Sequence, residues 1–103
     1  MDYHYEVFRT PLKVIMQKLA ENCKQRRLEK GLSRKSLSAM SNVPAPTIER
    51  FETKYAISLE SYVRIADALG YSEEILSLMS QPKFSTMKEL ETITKNKHRE
   101  RGV

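Results

Sequence analysis

The chain is short of several things at once. It has no Trp, only three Gly and a single Cys among its 103 residues. One Cys cannot close an internal disulfide, which fits a reducing compartment. So few Gly, and few clusters of β-branched residues, argue against a sheet. No apolar run approaches the roughly 18–20 residues needed to span a bilayer. The opening MDYHYEVFRT carries acids and aromatics where a secretory leader would carry a basic region. The chain is therefore expected to be cytoplasmic, without a membrane partner. Its two His, His4 and His98, stand far apart in the sequence, so neither suggests a metal site. No nucleophile–base pair, phosphate-cradling glycine loop or ligand cluster is apparent, and no enzyme activity, metal or cofactor is expected.

What is present is helical periodicity and segregated charge. The net charge is +5, and residues 9–57 hold eleven Lys or Arg against four Asp or Glu. Residues 58–81 reverse this, with one Arg against four acids. A basic first half followed by acidic helices is the footprint of a face set against phosphates. Three parts are expected: an N-terminal arm over 1–10, a helical domain over 11–81 and a C-terminal tail over 82–103. In the arm, Tyr3, Tyr5 and Val7 alternate like a short strand, and simple disorder competes with that reading.

Thr10 and Pro11 read as a helix cap and first position, followed by an apolar stripe of Leu12, Ile15, Met16, Leu19 and Cys23 that ends before Gly31. Cys23 is expected to be a small buried hydrophobe. Ser33 caps the next helix, which turns Leu37 and Met40 inward. Asn42 suits a turn with positive φ, and Val43 plugs the corner. Pro44 and Pro46 fit only a helix's first turn, where a missing N–H costs little. Ile48 and Phe51 then share one buried face. The opposite face begins at Ala45 and Thr47 and continues through Glu49 and Arg50. Such a helix, pinned on one side with short side chains at its tip, suits the DNA major groove. Ser58 caps a further helix with Leu59, Tyr62 or Val63, Ala66 and Leu69 inward and Gly70 as its stop. Ser72 is expected to cap the last domain helix.

The run Arg27-Leu-Glu-Lys-Gly31-Leu-Ser33, then Leu37, Asn42-Val43, Ile48, Glu52, Leu59 and Ile65-Ala66-Asp67-Ala68-Leu69-Gly70, resembles the Xre/Cro-repressor helix-turn-helix family. Its usual pattern is Arg-x3-Gly-Leu-Ser, Leu-Ala, Gly-Val, Ile, Glu-x-Gly and Ala-x-x-Leu-Gly. The sequence departs from it at Ser38 for Ala, Asn42 for the turn Gly, Arg34 for Gln and Lys54 for Gly. Most unusual is Pro44-Ala45-Pro46, where the family tends to carry Ser or Thr followed by polar base readers.

The resemblance implies an all-α, five-helix domain that binds double-stranded DNA. Ala45, Pro46, Thr47, Glu49 and Arg50 then become candidate base readers. Arg34 and Lys35, at a helix start, become phosphate contacts, with Lys24, Lys54 and Tyr55 behind them. Arg27 and Glu52 match a structural ion pair, from which one outer Arg27 nitrogen could still reach phosphate. The crowded apolar residues Ile75, Leu76, Leu78 and Met79 resemble a two-fold dimer contact, implying a homodimer on a near-palindromic operator, as for a repressor.

After Gln81-Pro82, Phe84, Met87, Leu90 and Ile93 recur every three residues behind Ser85 as a cap, in a stripe too short and Thr-rich to hold alone. The tail then reads as inert, as extra phosphate affinity, or as a segment that folds on a protein partner. Tails of this sort resemble those of antitoxins that restrain HipA-like kinase toxins, so a toxin partner is the alternative function.

Overall fold

The computed structural model describes residues 10–99. The strand-or-disorder alternative for Tyr3, Tyr5 and Val7 lies outside those residues. Six helices follow in order: α1 Leu12–Glu29, α2 Arg34–Ser41, α3 Ala45–Lys54, α4 Leu59–Ala68, α5 Ser72–Ser77 and α6 Met87–Asn96. No strand occurs among the described residues. The five expected domain helices are α1–α5, and the tail adds the sixth.

The core gathers one side of each of the first four helices. Ala20 and Cys23 of α1 meet Leu37 of α2, Ile48 and Phe51 of α3, and Ile65 with the following Leu69 from α4, with Val43 at the corner. The main packing pairs are α1 with α3, α2 with α3 and α4, and α4 with α5. Phe51 and Tyr62 meet edge to face, ring centroids 5.8 Å apart, which adds to the area they bury. Burial, reinforced by the Glu52 charge and only partly opposed by Arg27, pushes the Cys23 thiol up to about 11. It is a core hydrophobe.

The α2–α3 corner forms as its residues dictate. Ser33 Oγ accepts from the Ser36 N–H at 3.0 Å and caps α2. Asn42 adopts φ 60° and closes the helix, its N–H donating to Ser38 O. Pro44 caps α3 from outside with φ −58°, and Pro46 occupies the first turn. Lys54 in place of the family's Gly is harmless for a simple reason. The left-handed residue that ends α3 is Tyr55, at φ 62°, so Lys54 is still helical.

Several inward expectations fail at helix ends. Met40 is 54 % exposed, Leu12 73 %, Ile15 43 % and Leu59 77 %. The first turns of α1 project beyond the packed body, so its stripe engages only from Met16 and Leu19 onward. Ser41 takes the buried place expected of Met40, because the turn at Asn42 folds Val43 back over Leu37. Its hydroxyl donates to Leu37 O at 2.7 Å and accepts from the Val43 N–H at 3.3 Å.

Three caps also differ. Pro11, not Thr10, is the residue before α1, and it makes no side-chain cap. Tyr71 precedes α5, while Ser72 Oγ donates to Asp67 Oδ1 at 2.6 Å. Thr86, not Ser85, caps α6, in a reciprocal capping box with Glu89. Hydrogen bonds from Ser85 and Thr86 hold the Glu89 carboxyl below the usual range.

Candidate nucleic-acid interface

α3 is fixed from behind. Ile48 and Phe51 are fully buried on its inner side, and beside them the Glu52 side chain has no solvent exposure. Glu52 Oε2 accepts from Arg27 Nε at 2.8 Å and Oε1 from Arg27 Nη2 at 3.0 Å. Arg34 Nε adds a third bond to Oε1 at 2.9 Å. Burial pushes the Glu52 carboxyl up, but the hydrogen bonds and charges of Arg27 and Arg34 outweigh it and hold the group below its ordinary value. One carboxylate thus ties α1, the start of α2 and α3 together, and sets the tilt of α3.

The outer side of α3 is open. Pro46, Glu49, Arg50, Thr53 and Lys54 line one shallow surface. A second concavity beside it runs from Pro46, Thr47 and Arg50 to Ala56, Ser58 and Ser61 on the loop and first turn of α4. Pro46 and Arg50 therefore sit where both surfaces meet. Ala45 and Thr47 are half-buried rather than exposed as expected.

A protruding helix held across a preceding helix through a left-handed turn is the arrangement that sequence alone pointed to. A family model for the helix-turn-helix matches residues 24–76. The chain belongs to the Xre/Cro-like helix-turn-helix family. It is thus a DNA-binding helix-turn-helix regulator, with α2 and α3 as the motif. No curated protein and no solved structure matches it.

Within this helix-turn-helix protein the expected site residues separate. The Arg27–Glu52 pair forms as the resemblance implied, but Arg27 is not free to reach phosphate. Its Nη1 donates to Leu32 O at 2.8 Å and the residue is 6 % exposed. Arg34, expected on phosphate only, shares Glu52; its side chain keeps 34 % exposure. Lys24, Lys35 and Lys54 are exposed on α1, α2 and α3, and Tyr55 is half-buried. Thr53, Ser58 and Ser61 flank the outer face and were not among the expected residues. For Thr53 the signal existed, since positions 46, 49, 50 and 53 share a face at helical spacing.

The residues expected at the dimer contact lie in two settings. Ile75 and Leu78 line a groove, while Leu76 and Met79 are 77 % and 89 % exposed. α5 ends at Ser77 and Met79 turns to φ 60°, which breaks the helical spacing that would have aligned all four. No helix among the described residues is long and apolar enough to cross a membrane.

Proposed function

We propose that the protein is a sequence-specific transcriptional repressor that binds a near-palindromic operator as a homodimer. The observation that carries this reading is α3 itself. One side of it is fixed by Ile48, Phe51 and the Glu52 ion pairs, and the other offers Pro46, Glu49 and Arg50 to solvent. Arg50 is the guanine reader, through a bidentate contact with the major-groove edge. Glu49 accepts from cytosine or orients Arg50. The Ala45 methyl, Pro46 and the Thr47 methyl pack against thymine methyls, so shape and apolar contact carry much of the selectivity at this tip. Arg34, Lys35, Lys24, Lys54 and Tyr55 supply phosphate contacts, Arg34 from the exposed part of a guanidinium already oriented by Glu52. Dimerisation through the α5 region sets two α3 helices about 34–36 Å apart, one helical turn of DNA.

Selection of duplexes from a random pool tests this. The selected sites should show two half-sites about 10 base pairs apart, with affinity falling steeply as salt rises. A pool that fails to enrich, or binding no tighter than to random duplex at physiological salt, contradicts specific regulation. The alternative, an antitoxin restraining a kinase toxin, keeps the DNA-binding dimer and adds a protein partner for the tail. It requires co-purification with the product of the adjacent gene.

A further inference from the structure

α6 is capped by its own residues and packs little against the other helices. Its capping box is complete, and Glu89 Oε1 also accepts from the Ser85 N–H at 2.6 Å and Ser85 Oγ at 3.0 Å. Its apolar side is open, with Phe84 50 % and Met87 69 % exposed and Leu90 and Ile93 only half-covered. α6 takes part in none of the main helix packing. A ten-residue helix is too short to persist in water without a surface to lie on.

The same chain has an unfilled surface. Between α1, α4 and α5 runs an apolar groove of about 440 Å³, walled by Leu19, Tyr62, Leu69, Ile75 and Leu78. Asn22 and Arg26 line its α1 side. Arg26 Nη2 is held by Glu29 at 2.7 Å, but its Nε is buried without a hydrogen-bond partner. The Nε is covered by its own chain, so a docking carboxylate meets the open part of a guanidinium whose side chain keeps 37 % exposure.

The groove carries one base, Arg26 on its α1 side, and one acid, Glu74 on α5, so charge sets which way a carboxylate beside the α6 stripe must face. On the α6 helix, Glu89 and Glu91 flank the stripe of Met87, Leu90 and Ile93. Glu89 is committed to the cap, which leaves Glu91 as the flanking carboxylate that can meet Arg26. The chain leaves its own groove at Leu78 and turns away through Met79 at φ 60°. Consistent with that, the radius of gyration is 17.8 Å, against about 12–13 Å for a compact chain of this size. A second copy can offer its α6 to the groove, and two-fold symmetry then fills both grooves at once.

We propose that α6 of one copy lies in the α1–α4–α5 groove of a second copy, and reciprocally, with Glu91 accepting from Arg26 across the interface. This deepens the dimer half of the proposed function and rests on it. Sedimentation of the full chain at micromolar concentration should give a dimer, and deletion of residues 82–103 a folded monomer. Arg26→Glu and Glu91→Arg should each weaken the dimer about tenfold, and the two together should restore most of the loss. In a Cys23→Ala background, because Cys23 also lines the groove, Asn22→Cys with Glu91→Cys should oxidise to a covalent dimer on a non-reducing gel. An oxidised monomer would place α6 on its own groove and overturn the exchange. A dimer unchanged by deletion of residues 82–103 would also overturn it while leaving the dimeric repressor standing, with the tail free for another protein. A full chain that stays monomeric even on selected duplex would remove both readings.

Discussion

The body from Leu12 to Gly70 and the segment after it are made of similar helical material but are held differently. In the body, side chains bind across elements. Glu52 joins Arg27 and Arg34 over 25 and 18 residues of sequence, and Phe51 meets Tyr62. After Gly70, among the described residues, every side-chain hydrogen bond is local. Ser72 reaches Asp67, Ser85 reaches Glu89, and Thr92 and Thr94 reach back one turn. Local bonds decide whether a segment is helical, and only long-range packing decides where it sits. The body therefore presents α3 rigidly, whereas α6 has a shape and no fixed address within one copy.

That contrast is open to direct test by mutation. The largest effects belong to the body. Phe51→Ala should cost about 3–5 kcal/mol in chemical denaturation, because it empties the centre of the core. Glu52→Ala should cost a similar amount, about 3–5 kcal/mol, by leaving two arginines without their carboxylate. A loss below 1 kcal/mol at either position would mean that the body is not packed as described.

Glu52 also sets a pH dependence. Its folded value lies below the ordinary 4.5, so its contribution is fully present above that value and is lost as pH falls through the folded one. Glu52→Gln should flatten the acid limb of the stability curve below about pH 4.5. An unchanged acid limb would assign that limb to other carboxylates.

Arg50→Ala comes next, with about 1–3 kcal/mol lost in discrimination between selected and random duplex and no change in stability. A capping substitution such as Ser33→Ala should cost about 1 kcal/mol. At the small end, Met87→Ala should leave the chemical denaturation of the full chain, measured at dilutions where it is monomeric, within about 0.5 kcal/mol of the parent, since Met87 is 69 % exposed in one copy. A larger loss would show that α6 belongs to the body after all.

Much of the body was legible in the sequence because its signals are redundant. Asn42 at the turn, Pro44 and Pro46 at one helix start, and Ser33 and Ser58 as caps are all local choices with few alternatives. Ile48 and Phe51 were readable from spacing. The misplaced residues have two causes. Leu12, Ile15 and Leu59 fit the period of their helices but lie at ends where no neighbour reaches, and periodicity does not say how far a partner extends. At Met40 the buried place goes instead to Ser41. Arg34 as a second partner of Glu52 carried no sequence signal, since it depends on how the start of α2 crosses α3. Ser72 and Ser85 sat within one residue of a cap, where Ser is equally able to serve a side chain nearby.

The central claim is that the outer face of α3 enters the duplex. A two-dimensional NMR titration of the amide and arginine side-chain resonances with a selected operator tests it most directly. The largest shifts should fall in Ala45–Lys54, led by Arg50, with a second group at Arg34 and Lys35. Shifts confined to α5 and α6, with α3 and the Arg50 guanidinium undisturbed at saturation, would contradict it.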